Sequence, residues 1–226
     1  DATPLLSHTR RVVYLDDSEM AVLTPAEYHI TSLENVPVTK VVETLDWDIE
    51  SAQKKGYEHF MLKEIMEVPE VLENTLRGRL NIEAGTIHLG GLKDVEDQLR
   101  SAKRIIITGC GSAYYAGLVG ELMIEELAGI PVETEIASEF RYRRFTAPTE
   151  GTILLAVSQS GETADTLEAI REAKKHGLLT LGIVNAVGSS IARETDAGVY
   201  NHAGPDIGVA STKAFVSQLT VFAMLA

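Results

Sequence analysis

The chain of 226 residues is about one and a half typical domain lengths, and its 45% hydrophobic content is that of a folded protein rather than a disordered one. A formal net charge of −13 argues against nucleic acid or an anionic membrane surface as the main partner, and no apolar run reaches the ~18 residues of a membrane-spanning helix. The single cysteine, Cys110, excludes an internal disulfide and a cysteine-only zinc site, and it suits a reducing, cytoplasmic compartment.

Residues 1–45 read as short strands at Arg11–Leu15, Met20–Leu23, Tyr28–Thr31 and Val38–Thr44, separated by the turn-forming Asp16-Asp17-Ser18 and Glu34-Asn35. A four-strand meander of this length buries too little to stand alone, so it is expected to belong to a larger domain. Residues 46–57 read as a linker. His59–Gly78 is helical, with Phe60, Ile65, Val68, Val71, Leu72 and Leu76 on a buried stripe and Pro69 either kinking the run or opening a second helix. Leu92–Ala102 gives another helix.

From Arg104 strands and helices alternate. The strands are Arg104–Thr108, Val132–Ile136, Thr152–Val157, Leu179–Val184 and Ala197–Tyr200, and the helices lie near Ser112–Leu127, Glu139–Arg144, Glu162–His176 and Ser190–Arg193. Runs such as Ile105-Ile106-Ile107 and Ile153-Leu154-Leu155-Ala156-Val157 do not alternate in polarity, so both sheet faces are covered. The expected fold is α/β, a five-stranded parallel sheet flanked by helices and preceded by a short β-rich segment, with ligands beyond the carboxyl ends of the strands. A last helical pattern at Phe215, Leu219, Phe222 and Ala226 meets no stop signal, and the chain opens at Asp1 without a methionine. Both ends are therefore expected to be cut from a longer protein.

The sharpest motif is Ser158-Gln159-Ser160-Gly161-Glu162-Thr163, between the third parallel strand and the helix after it. A helix N-terminus offers unpaired N–H groups and partial positive charge to an anion. Ser158, Ser160 and Thr163 add hydroxyl donors, and Gly161 lets the backbone turn close to a ligand. No lysine completes a nucleoside-triphosphate P-loop, so neutral donors here suit a phosphate monoester. The alternative is that Ser160 merely caps the helix.

A second motif, Thr108-Gly109-Cys110-Gly111-Ser112-Ala113-Tyr114, half-matches a dinucleotide fingerprint. Tyr114 at the third glycine position would crowd a pyrophosphate, although Glu135 could mimic the ribose-binding acid, so dinucleotide binding is the weaker reading. Ser112 caps the next helix or touches a sugar hydroxyl, and Cys110 reads as a small core residue rather than a nucleophile. In a third loop, Asp206 to Lys213, Ser211 and Thr212 either cap the terminal helix or form one wall of a ligand cleft. The six histidines lack metal-ligand spacing, so no metal and no cofactor is expected. The basic run Arg141, Arg143, Arg144 reads as a solvated or interface face.

Together, Cys110-Gly111-Ser112-Ala113-Tyr114, Ala137-Ser138-Glu139-Phe140-Arg141-Tyr142-Arg143, Ser158 to Thr166 and Gly208-Val209-Ala210-Ser211-Thr212-Lys213 resemble the glutamine–fructose-6-phosphate aminotransferases (isomerizing) over essentially the whole chain. Ser158 to Thr163 alone would indicate only the wider sugar-isomerase (SIS) class. The resemblance implies that residues 1–45 are the last strands of a glutamine amidotransferase domain and that 58–226 is the first SIS subdomain. It implies a reaction in which ammonia from glutamine replaces the C2 oxygen of fructose 6-phosphate, and proton transfer between C1 and C2 gives glucosamine 6-phosphate. Ser158, Gln159, Ser160 and Thr163 would hold the phosphate around the Gly161 turn, Gly111 and Ser112 would meet the sugar, and Val209 and Ser211 would line the opposite wall. Ala113 stands where some members carry a serine. The family's amidotransferase cysteine would precede Asp1 and its isomerase base, ring-opening histidine and lysine would follow Ala226, so no catalytic residue is expected in this chain. The implied partners are fructose 6-phosphate or glucosamine 6-phosphate and a second copy of the chain, a homodimer through isomerase domains. The alternative is a non-catalytic SIS module sensing sugar phosphates in a regulator, against which the β-rich start and the acidic charge both speak.

Overall fold

A computed structural model describes residues 8–44, 54–145 and 149–226, which fall into two compact units divided at residue 54. In the first unit β1 (Arg11–Val12) pairs antiparallel with β4 (Glu43–Thr44), and β2 (Glu19–Leu23) pairs antiparallel with β3 (Tyr28–Ser32). This is two separate pairs rather than the expected meander. Residues 13–15 and 38–42 are not strand, and Pro37 contributes only a single bridge to Thr31. The β2–β3 turn is set by Thr24, whose hydroxyl accepts the Glu27 N–H at 3.0 Å and donates to the Glu27 carbonyl at 3.0 Å. Val12 and Ile30 are the buried apolar side chains of this unit's described residues, while Leu23, Leu33 and Val41 are exposed. Of the expected linker 46–57, residues 46–53 lie outside the described residues.

The second unit begins with α1 (Phe60–Met66) and α2 (Val68–Leu76), joined at Glu67 with Pro69 in the first turn of α2, where a missing N–H leaves no helical bond unmade. Of the two readings of Pro69, the structure takes the second: it opens a second helix. The expected stripe also turns over in α1: Ile65 is 44% exposed and its neighbours Met61, Leu62 and Met66 are exposed too, whereas Lys63 and Glu64 are completely buried. A short hairpin not expected from the sequence, β5 (Leu80–Asn81) with β6 (Thr86–Ile87), follows. The expected helix Leu92–Ala102 is a 3-10 turn at Gly90–Val95 running into a short α3 (Glu96–Arg100).

The strands β7 (Arg104–Gly109), β8 (Val132–Ile136), β9 (Thr152–Ser158), β10 (Leu179–Val184) and β11 (Ala197–Tyr200) form one parallel sheet in the order β11-β10-β9-β7-β8. Side chains alternate between faces along each strand, so one apolar run feeds two cores. Ile105, Ile107, Ile153, Leu155 and Val157 pack with Ala116, Ile124, Val221 and Phe222 from α4 (Ser112–Ala128) and α8 (Lys213–Leu225). Ile106, Leu154 and Ala156 pack with Phe140, Ala169, Ile170 and Ile191 from α5 (Ala137–Phe140), α6 (Ala164–Lys175) and α7 (Ser190–Glu194). This is the α/β architecture expected, and every residue of the central strand β9 is buried. From β7 the chain crosses to β8 on one side and then returns past β7 to β9 on the other. The crevice between the carboxyl ends of β7 and β9 is thus the topological switch point, where open α/β sheets hold ligands.

Candidate functional site

The segment 158–163 leaves β9 at that switch point, and the segment 109–112 leaves β7 beside it. The two run so close that a Cβ on Gly109 would lie 2.9 Å from the Val157 carbonyl oxygen. Gly111 takes φ 58° and delivers Ser112 to the first turn of α4. Gly161 takes φ 68° and turns the chain toward α6, whose N-cap is Thr163 rather than Ser160 and carries no side-chain cap.

The serine hydroxyls instead organise their own loop. Gly161 N–H donates to Ser158 Oγ at 3.0 Å and Glu162 N–H donates to Ser160 Oγ at 3.2 Å. Each oxygen thereby accepts internally, which leaves the hydroxyl proton as the group able to donate to an anion. Ser158 Oγ and Thr163 Oγ1 lie 3.4 Å apart. In the same turn Gln159 Nε2 is buried without a protein partner, a donor that a bound oxygen would satisfy. Glu162, the one carboxylate of the loop, accepts the Ser190 N–H at 2.8 Å and so is committed to the start of α7.

The loop's backbone is tied along the sheet edge. Ala186 N–H donates to the Gln159 carbonyl at 3.2 Å, and the neighbouring Asn185 side chain bonds the Gly204 carbonyl at 2.7 Å and the Ala203 N–H at 2.8 Å. The segment 201–212 therefore leaves the same edge as the other two loops. Within it Val209 is fully exposed, and Ser211 donates its hydroxyl to Asp206 Oδ2 at 2.5 Å. Thr212 occupies the N-cap of α8 without making a side-chain cap.

Beneath this third loop lies an ionic cluster that hydrophobic patterning does not reveal. Glu64 accepts the N–H groups of Ile207 at 2.7 Å and Gly208 at 3.1 Å, and Lys213, almost fully buried, pairs with Glu67 at 2.8 Å. Burial, reinforced by the nearby Glu64 carboxylate and opposed by the Ser211 hydroxyl, pushes Asp206 up to about 6. Burial also drives Lys63 down from its ordinary value. Burial pushes Glu67 up, yet the Lys213 hydrogen bond and charge, with Lys63 and Lys55, outweigh it and hold that carboxyl below its ordinary value. The sequence signal for this cluster was Lys63-Glu64 beside Glu67, charges at helical spacing on the side later buried.

Other charged candidates are committed elsewhere. Glu135 and Glu133 pair with Arg143, the latter at 3.1 Å, and Arg141 pairs with Asp165 at 2.9 Å, so these arginines bind α6 and the edge strand β8 instead of standing in solvent. Cys110 is half-buried against the α5–α6 core. Among the described residues no group of three or more His, Cys, Asp or Glu is placed to hold a metal ion, and no helix is long and apolar enough to cross a membrane. A second groove, of about 650 Å³, lies toward the amino-terminal edge of the sheet, lined by Ile105, Ile153 and Met224 and also by His88, Lys93, Glu96 and Arg100.

Residues 98–226 match the SIS domain family. Over all 226 residues the chain is 54% identical to a glutamine–fructose-6-phosphate aminotransferase (isomerizing) of Chlorobaculum tepidum and 49% identical to one of Thermus thermophilus. The chain spans 37% of the length of each of these relatives. The C-terminal domain of glucosamine-fructose-6-phosphate aminotransferase from Francisella tularensis superposes with a TM-score of 0.71 at 43% identity, covering 76% of this chain and 48% of that one.

Proposed function

Because the chain belongs to the SIS domain family, we propose that the crevice between β7 and β9 binds the phosphate of fructose 6-phosphate or glucosamine 6-phosphate, as part of an enzyme that makes glucosamine 6-phosphate from fructose 6-phosphate and glutamine. The observation that carries this reading is the buried Gln159 Nε2, without a protein partner, in the same strand-to-helix turn that carries the Ser158, Ser160 and Thr163 hydroxyls into the N-terminus of α6. These donors are neutral, so a phosphate is held by hydrogen bonds and the helix dipole rather than by a lysine. Gly111 and Ser112 would approach the sugar from β7, with Val209 and Ser211 on the far wall. Full-length similarity to aminotransferases favours the enzyme over a sugar-phosphate-sensing module.

In this reading residues 1–45 end a glutamine amidotransferase domain, 58–226 form the first SIS subdomain, and the assembly is a cytoplasmic homodimer through isomerase domains. The test is calorimetric titration with fructose 6-phosphate and with fructose. Binding of the phosphorylated sugar alone supports the reading. Equal binding of both, or of neither, overturns it. Light scattering that finds a monomer at micromolar concentration would overturn the dimer.

A further inference from the structure

Glu64 lies in α1, outside the 98–226 segment that matches the SIS family, yet its completely buried carboxylate reaches a loop 143 positions later in the chain. We infer that Glu64 is a positioning residue, whose carboxylate holds the Ile207–Ser211 loop in the conformation that meets the sugar and so sets affinity for the sugar portion of the ligand separately from its phosphate. This rests on the sugar-phosphate reading above.

The argument is one of tethers. Two consecutive backbone N–H groups, of Ile207 and Gly208, converge on one carboxylate, and both become unpaired if it is lost. The outer part of the loop has no packing to define it, since Val209 and Ala210 are exposed. Glu64 also meets the Asp206 side chain, and further ties are the Ser211–Asp206 bond at 2.5 Å and the Lys213–Glu67 pair at 2.8 Å, with Glu67 at the C-cap of α1. The loop is therefore fastened to α1 at both ends. The phosphate loop is fastened elsewhere, by Gly161 to Ser158 and Ile191 and by Gln159 to Ala186. A change at Glu64 should thus move one wall of the site and leave the other in place.

Two variants approach the contact from opposite sides in the 226-residue chain. Glu64→Gln keeps the shape and presents an amide to the two N–H groups. Gly208→Ala adds a Cβ that would sit 2.6 Å from Glu64 Oε2. Each is titrated with fructose 6-phosphate and with inorganic phosphate, and amide exchange is read at Ile207 and Gly208. The expected result is about tenfold or more lost for fructose 6-phosphate, inorganic phosphate changed by less than about twofold, and faster exchange at both amides. The double variant should lose less than the two combined, because both act on one contact. If Glu64→Gln does not fold, Gly208→Ala alone decides. Unchanged fructose 6-phosphate affinity despite faster exchange overturns the inference, as does a parallel loss of inorganic phosphate, which would mark general loosening. An unaltered chain that fails to bind fructose 6-phosphate overturns the functional reading itself and this inference with it.

Discussion

Gly161 and Ser189 touch where the phosphate loop meets the start of α7: a Cβ on Gly161 would overlap the Ser189 hydroxyl oxygen and come within 2.5 Å of the Ser189 Cβ. The Gly161 carbonyl also accepts the Ile191 N–H at 2.9 Å, and φ at Gly161 is 68°. Conformation and space both demand glycine at the centre of the loop.

Gly161→Ala should therefore destabilise the chain by roughly 2–4 kcal/mol in urea unfolding, of which about 1–2 kcal/mol is left-handed backbone strain and the rest overlap. Adding Ser189→Gly relieves the overlap with Ser189 and should recover part of the loss, leaving the backbone strain and the 2.8 Å approach to Val184 Cγ1. A single variant as stable as the unaltered chain would mean that the loop readily takes another conformation.

Removing a phosphate-loop hydroxyl should weaken fructose 6-phosphate binding about tenfold, since a hydrogen bond to a charged group contributes roughly 1.5–3 kcal/mol. Ser158→Ala with Ser160→Ala should cost at least ~100-fold, measured calorimetrically beside a folded-state check. Ser158 and Ser160 also accept the N–H groups of Gly161 and Glu162, so a modest loss of stability should accompany the loss of affinity. If the double variant keeps its affinity, these hydroxyls serve only the loop.

Lys213→Met should cost less in unfolding than the about 3–5 kcal/mol of a fully uncompensated buried charge, because Glu67 loses its 2.8 Å partner but keeps Lys63 and Lys55 at 3.5 Å. Adding Glu67→Gln removes the charge that has lost its hydrogen-bonded partner and should restore part of that loss, while withdrawing the carboxylate from buried Lys63. A double variant no better than the single would show that Glu67 is not stranded.

The pH dependence carries two opposite signs. Asp206 keeps its proton to about 6 when folded, against 3.8 ordinarily, so its contribution to stability is fully present below about pH 4 and falls as pH rises to about 6. Glu67 is depressed, so its contribution is present above its ordinary 4.5 and is lost as pH falls. Asp206→Asn deletes the first effect. The stability difference between variant and unaltered chain should move in the variant's favour by roughly 3 kcal/mol at most between pH 4 and pH 7. A difference independent of pH would show that Asp206 titrates normally.

The parallel sheet and the strand–glycine–helix turn at 158–163 were legible because they rest on local information. Val132–Ile136, Leu179–Val184 and Ala197–Tyr200 have the expected bounds, the inner strand Leu179–Val184 because it is a short, largely apolar buried run and the two half-buried edge strands because β-branched or aromatic residues lie between turn residues. Ser158 to Thr163 was legible because strand, glycine turn and helix are consecutive in the chain. The 2-residue hairpin strands Leu80–Asn81 and Thr86–Ile87 were not, because they are too short to show a period.

What the sequence determined by itself, then, was the layered α/β unit, the edge at which its loops gather and the hydroxyl chemistry of the loop after β9. Only the tertiary structure decided which face of α1 turns inward. Helical periodicity sends Ile65 to the core and Lys63 and Glu64 to water, yet the structure does the reverse. A charge can be buried only if its compensating partners are present, and those of Glu64 and Glu67 are backbone N–H groups at Ile207 and Gly208 and the ammonium of Lys213, more than 140 positions away along the chain. No local pattern encodes that meeting, because it exists only after the sheet has brought the loop beyond β11 back onto α1.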